Sequence, residues 1–415
     1  MSNRPAELAP DLVLAGGHLG DGRLVDLHVV DGSISAVTES GAPVAAGTPK
    51  EDLAGWLLLG AMAEPHAHLD KALTAEKVPN PRGDLMGAID AWMTAASTGL
   101  FTPEDTADRA TDALELLLAN GATAVRTHVN IGAGAEALQA VREARSRMDG
   151  LLDVQIVALT SNPITGREGR ENRRALAVAL EVGVDFIGGC PHLDPDGTTL
   201  MSDAFAAASD AGIGLDLHVD EVLDPQVLYL RELTRMVSDS GFAHPVTASH
   251  CVTLGLQPPD VQAAVSREVA DAGVSVVALP QTNLFLQGRN HPTATPRGLT
   301  AIDALLQAGA LVCAGADNVQ DPFNLVGRSD PLETAALLVM AGHRLPDEAF
   351  RMVGADARAC LGLPSAAPVV GAVADLVAID APSVRGAIAD APMARKVFHR
   401  GKLVATTSQS RTIYR

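Results

Sequence analysis

From residue 56 to residue 317 the chain alternates short, nearly continuous apolar runs with longer segments whose apolar residues recur at helical spacing. The runs are WLLLGAMAEPH (56–66), TAVRTHV (123–129), VQIVALT (154–160), VDFIGGC (184–190), IGLDLHV (213–219), PVTASHC (245–251), VSVVALP (274–280) and LVCAGAD (311–317). Their length and composition predict strands buried on both faces, as in a parallel sheet. Among the intervening segments, 102–121 opens with a Thr N-cap and Pro103 at the first helical position, and stops at Gly121. Residues 224–241 and 299–310 carry the same helical apolar spacing. Eight such units over about 250 residues predict an α/β fold, a (β/α)8 TIM barrel. A doubly wound open sheet is the competing architecture, but no GxGxxG opens the first unit.

The two ends of the chain read differently. Residues 11–40 and 370–404 are short strand patterns punctuated by Gly-Asp-Gly, Asp-Gly and Arg400-Gly401 turns. They predict one small β-sandwich domain built from both ends, residues 1–58 and 366–415, beside a barrel of residues 59–365.

Composition narrows the function. The 415 residues are 47% hydrophobic and 20% charged, as in a globular protein, and can bury a large core. A net charge of −19 argues against nucleic acid or an anionic membrane as partner. No signal peptide is expected at the N-terminus, and no apolar run reaches the length of a membrane span. Cys190, Cys251, Cys313 and Cys360 form no CxxC pair and predict reduced thiols in a cytoplasmic protein.

The candidate chemistry lies where barrel strands end. Strand one ends in AEPHAHLDK, and on a strand His66 and His68 share one face. Alone, this pair fits either half of a Zn2+ or Fe2+ site or two loop histidines that bind nothing. Strand five, however, ends in His218-Val219-Asp220-Glu221, strand six in His250 and strand eight in Asp317. Strand two adds His128, and Asn283 follows strand seven. Barrel enzymes place their active sites at these C-terminal ends, whereas structural histidines have no reason to prefer them.

The motifs EPHAHLD (64–70), VRTHV (125–129), QIVA (155–158), HVDE (218–221), VTASH (246–250), LQGR (286–289) and DNVQDP (317–322) occur in this order. In this set the chain resembles bacterial cytosine deaminase and its relatives in the amidohydrolase superfamily. The resemblance implies an amidohydrolase-type barrel and a metal-dependent deaminase that releases ammonia from a small N-heterocycle. It implies that His66, His68, His218 and Asp317 hold one divalent metal ion, Zn or Fe(II), which activates a water. Glu221 would then shuttle protons, Asp317 would take the first proton, and His250 would hold the water or the oxyanion. Strand four ends FIGGCPHLDP without the lysine that bridges two metals in other relatives, so a single ion is expected. His128 is either a support for the metal ligands or structural, and His192 acquires no role. The partner is a small-molecule heterocycle, and a homo-oligomer is expected.

Substrate contacts are expected at Ser161, Asn283, Gln287, Asn318 and Phe323. Lys71 either holds a substrate oxygen or solvates a loop. The resemblance also identifies departures from cytosine deaminase: Ser161 for a glutamine, Asn318 for an aspartate and Phe323 for a tryptophan. One serine hydroxyl cannot reproduce the two-point contact of an amide, so a larger or differently substituted ring is expected, unless Asn162 swings in to replace the glutamine. An aminotriazine N-alkyl hydrolase competes through Lys71 and the Asp317-Asn318 pair, but that branch lacks the glutamate found here at Glu221. A barrel that only binds is disfavoured because the complete ligand and proton-transfer set is present.

Overall fold

The computed structural model describes residues 10–132 and 135–414. The N-terminal strands are β1 (Leu12–His18), β2 (Leu24–Val30), β3 (Ser33–Glu39), β4 (Lys50–Asp52) and β5 (Leu57–Gly60). The barrel strands are β6 (Met62–Ala67), β7 (Ala122–Asn130), β8 (Asp153–Leu159), β9 (Phe186–Gly188), β10 (Gly214–Val219), β11 (Val246–His250), β12 (Ser275–Ala278) and β13 (Val312–Ala314). Each pairs in parallel with the next. The C-terminal strands are β14 (Leu376–Ile379), β15 (Arg395–His399) and β16 (Lys402–Thr407).

All eight predicted barrel strands are present, with one revision. The run at 56–66 is two strands, because the chain crosses from one sheet to the other at Gly60-Ala61. There Ala61 N–H donates to Asp375 in the mixed sheet (2.9 Å), while Met62 N–H donates to Gly121 at the foot of β7 (3.1 Å). A Cβ on Gly60 would lie 2.7 Å from the Ala366 carbonyl oxygen, so the crossing excludes a larger residue.

The chain ends pair as predicted, in the order β16-β15-β14-β5-β1-β2-β3 with β4 beside β1. Leu14, Leu27 and Ile34 from β1–β3 share a core with Leu58, Leu376 and Phe398 from the other half. Strands distant in this sheet can share a core only if the sheet folds over on itself. The Asp31-Gly32 and Arg400-Gly401 hairpins have both residues at positive φ (47° and 71°, 49° and 76°), which matches the twist of their strands.

Helix Pro103–Ala119 begins as the sequence predicts, with Thr102 accepting the Asp105 N–H. The helix expected from 224 starts instead at Tyr229. Its first amides, Tyr229 N–H and Leu230 N–H, are bonded by the carboxylate of Asp220 at 2.8 and 3.0 Å, a remote cap that periodicity cannot reveal.

Barrel closure has an unusual device. β13 is only three residues long, and the chain just beyond it meets β6 through a single bridge, Ala67 to Asp317, with Asp317 N–H donating to His66 C=O at 3.1 Å. The buried Glu64 carboxylate supplies the rest, accepting His66 N–H at 3.1 Å and Ala316 N–H at 2.9 Å. A Cβ at Gly315 would lie 2.1 Å from Glu64 Oε1, so glycine there makes room for the carboxylate. Burial pushes the Glu64 pKa up to about 8, against the pull of its two amide donors.

This shift makes a stability prediction. Between about pH 4.5 and 8 folded Glu64 holds a proton that it loses on unfolding, so stability falls as pH rises. Urea titrations of the metal-free protein across this window are expected to lose up to about 1.4 kcal/mol per pH unit relative to Glu64→Gln. Parallel pH profiles for the two proteins would show that Glu64 titrates normally.

Candidate metal centre and active-site cavity

His66 on β6, His68 immediately after it, His218 on β10 and Asp317 after β13 converge at the C-terminal ends of the strands. His218 Nε2 lies 3.2 Å from both His66 Nε2 and His68 Nε2. Asp317 Oδ1 lies 3.6 Å from His66 Nε2 and 3.1 Å from His68 Nε2. A tetrahedral zinc ion with Zn–N bonds of about 2.0–2.1 Å sets its ligand atoms about 3.3 Å apart. The three ring nitrogens and the carboxylate oxygen stand at spacings that match this geometry. Burial, followed by the neighbouring imidazoles for His66 and His218 and by Lys71 for His68, lowers the three histidine pKa values well below normal. They are therefore neutral, as metal ligands must be. The donor set fits a divalent ion.

A buried relay orients His66. Its Nδ1 lies 2.8 Å from Ser249 Oγ, which donates to Asp216 Oδ1 at 3.2 Å. Arg126 Nη1 donates to the other Asp216 oxygen at 2.8 Å. Since the Ser249 proton goes to Asp216, Ser249 accepts the proton of His66 Nδ1, leaving the His66 Nε2 lone pair free for a ligand role. His128 packs its ring 4.0 Å from that of His66 and places Nε2 3.4 Å from Asp216 Oδ1. The relay was not anticipated from sequence. Its signal was present, since Arg126 and His128, and likewise Asp216 and His218, alternate onto one face of their strands.

The acid-base candidates stand beside this cluster. His250 Nε2 lies 3.7 Å from Glu221 Oε2 and 3.9 Å from Asp317 Oδ2. Its Nδ1 donates to Asn283 Oδ1 at 3.0 Å, and burial lowers its pKa to about 4, so Nε2 presents a lone pair between the carboxylates. Burial first, and then the Asp317 charge, raises Glu221 well above the carboxylate range. Burial raises Asp317 to about 6. Asp220, His250 and Asp317 have φ of 54°, 70° and 67°, a left-handed conformation disfavoured for non-glycine residues that clusters at functional sites.

A cavity of about 450 Å3 opens onto the centre and is lined by His68, Lys71, Ser161, Asn318 and Phe323 among the expected residues. Lys71 is buried and bonded to both oxygens of Asp70 at 3.0 and 3.1 Å, so it does not solvate a loop. Ser161 bonds Asn130 Oδ1 at 3.1 Å, whereas the neighbouring Asn162 keeps a buried Oδ1 without a partner. Asn318 spends its Nδ2 on Asp321 at 2.7 Å. Two expected contacts do not reach the cavity. Asn283 is buried behind His250, and Gln287 donates to the Glu221 main-chain carbonyl at 3.2 Å. Both brace the acid-base pair. The wall from helix Leu85–Ser97, and Cys190 and Thr282 on the lining, were also missed.

The chain belongs to the amidohydrolase family, whose model matches residues 82–405. It is 32% identical to the pterin deaminase of Rhizobium rhizogenes (strain K84 / ATCC BAA-868) over 387 residues, covering 91% of this chain and 87% of that protein. Its fold superposes on 5-methylcytosine deaminase from Klebsiella pneumoniae liganded with 5-fluorocytosine, with TM-score 0.86 and 28% identity, covering 97% and 99% of the two chains. It also superposes on N-isopropylammelide isopropylaminohydrolase from Burkholderia multivorans ATCC 17616, with TM-score 0.82 and 28% identity over 95% and 98%.

Removing the Ser249 hydroxyl breaks the relay at its centre. Ser249→Ala is expected to weaken zinc affinity about 10- to 100-fold, as supporting partners of metal ligands do. Competition with a chromogenic chelator measures this, and unchanged affinity would show that the relay does not orient His66.

Proposed function

We propose that this protein is a metal-dependent hydrolytic deaminase acting on an amino-substituted N-heterocycle larger than cytosine, with pterins the first class to assay. The observation that carries this reading is the placement of Glu221 and His250 against the His66, His68, His218 and Asp317 cluster at the floor of one cavity. The pterin deaminase relative and the volume of the cavity support the larger ring. One zinc or iron(II) ion per chain is the metal proposed, and four free cysteines support a cytoplasmic location.

When bound, the ion supplies a Lewis acid that lowers the pKa of a water toward neutrality. Asp317 takes one proton from that water, and His250 Nε2 accepts a hydrogen bond from it. Glu221, protonated at rest, donates to the ring nitrogen next to the reacting carbon. A C–O bond forms at that carbon. Glu221 then carries the second water proton to the amino group, the C–N bond breaks and ammonia leaves. The Asp317 proton returns Glu221 to its resting state. Asn162 Oδ1, buried without a partner, is the acceptor proposed for a ring N–H or amino group.

Hydrolysis of an N-alkylated aminotriazine is the second reading, favoured by Lys71 and Asn318 on the cavity wall and by the Burkholderia relative. It would release an alkylamine. Ammonia release across aminopyrimidines, pterins, creatinine and aminotriazines, with and without a chelator, separates the two. Cytosine turned over above about 10⁴ M⁻¹s⁻¹, the lower edge of ordinary efficiency, and faster than any other ring would overturn the larger-ring assignment.

Two variants test the roles. His218→Ala is expected to lose metal and activity together, and full occupancy in it would remove His218 from the ligand set. Glu221→Gln is expected to keep the metal and lose at least about 10²-fold in kcat, and normal turnover would rule out the proton shuttle.

A further inference from the structure

Helix Leu85–Ser97 packs in an inverted way. The residues it buries are small: Gly87, Ala88 and Ala95. Its large apolar residues, Leu85, Met86, Ile89, Trp92 and Met93, recur at the spacing of a single helical face and line the cavity. None is buried, and Met86 and Met93 keep 47% and 52% of their surface exposed. A surface helix ordinarily turns its large apolar stripe into the core. Here that stripe faces a space that also contains His68, His218 and Asp317, with Pro163, Leu193 and Phe323 among the other lining residues. The continuity of this wall with the metal centre identifies its occupant as the far part of whatever molecule reacts there.

Resting on the deaminase reading of the site, we propose that the heterocycle carries an apolar arm, alkyl or aryl, that lies against this helix. Glu168 and Lys71 are charged groups on the same cavity lining, and Lys71 is neutralised by Asp70. Along the helix face itself, with Glu168, Ser161 and Asn162 elsewhere on the lining, the hydroxyls of a polyhydroxylated arm would meet carbon, which costs free energy. A hydrocarbon arm gains it by leaving water. The helix is held in position by its approach loop, since Asn80 Nδ2 donates to Asp84 C=O at 3.1 Å and to Pro322 C=O at 3.0 Å. Asp84 caps the helix by accepting the Gly87 N–H at 2.6 Å. The wall is therefore attached to the loop that carries Asn318 and Phe323.

The test uses the zinc-loaded full chain and a matched set of rings: pterin, 6-propylpterin and 6-(trihydroxypropyl)pterin, with the same arms on an aminopyrimidine and an aminotriazine. Ammonia release gives kcat/KM, and quenching of tryptophan fluorescence, with Trp92 in the cavity, gives Kd independently of turnover. The propyl arm is expected to improve both by roughly 10- to 50-fold over the bare ring, the worth of about three buried methylenes. The trihydroxypropyl arm is expected to gain nothing. Ile89→Asn and Met93→Gln are each expected to shrink the propyl-to-bare ratio to under about threefold. A bare or polyhydroxylated ring that matches or beats the propyl ring in both measurements overturns the proposal. Such a result would leave the helix face to a second copy of the chain or another protein. If no ring releases ammonia but propyl rings still bind more tightly, the apolar arm stands and the deaminase reading fails.

Discussion

The active centre depends on closing the seam between the first and last barrel strands. His66 lies on β6, His68 follows it directly and Asp317 follows β13, so three of the four proposed ligands straddle that seam. Backbone pairing across it is a single bridge, because β13 ends at Ala314 and the chain then turns through Gly315. Glu64 substitutes for the missing ladder by bonding an amide on each side. Its side chain thereby fixes how far His66 and His68 stand from Asp317. In an open sheet these residues would lie at opposite edges, and the 3.1 Å approach of His68 to Asp317 would not exist.

The polar interior of the barrel extends this control below the site. Arg126, Asp216, Thr247 and Ser249 are fully or almost fully buried and bonded to one another across β7, β10 and β11. A buried guanidinium and carboxylate are costly to desolvate, and such pairs persist where they contribute geometry. Here His128 and then Arg126 hold the Asp216 pKa below the usual carboxylate range despite its burial, and Asp216 accepts the Ser249 proton. The chain of bonds determines which nitrogen of His66 carries hydrogen. Burial keeps the three imidazoles neutral and, with the Asp317 charge, raises the Glu221 pKa.

The barrel and the pairing of the chain ends were legible because both leave periodic signatures. Eight apolar runs, and turn pairs such as Arg400-Gly401, constrain the backbone locally. The residues around the metal cluster were legible for another reason: their placement at strand ends is a topological regularity that survives translation into sequence. What escaped is non-local. That Asn283 and Gln287 brace His250 and Glu221 rather than face the cavity depends on how the helix at Pro280–Leu286 packs, which the motif LQGR does not encode. The delayed start of the helix at Tyr229 depends on Asp220, nine residues earlier in the chain. Glu64 looked like part of a motif, and its bond to Ala316 spans 252 residues.

The structure separates the parts that set the reaction from the parts that set the ring. Strand ends hold the proposed metal ligands and proton carriers, and buried polar bonds tie them to one another. The walls are loop and helix elements: the Ser161-Asn162 turn, the Asn318–Asn324 loop organised around the Asp321 carboxylate, and helix Leu85–Ser97. Asp321 bonds the amides of Phe323 and Asn324 and the side chain of Asn318, so the loop is held from within by its own carboxylate. Phe323 and Ile89 line the cavity, whereas Glu64 and the Ser249 relay contact the elements that carry His66 and Asp317. A scaffold divided in this way can keep one hydrolytic chemistry while its ring preference changes, because the two are fixed by different sets of contacts.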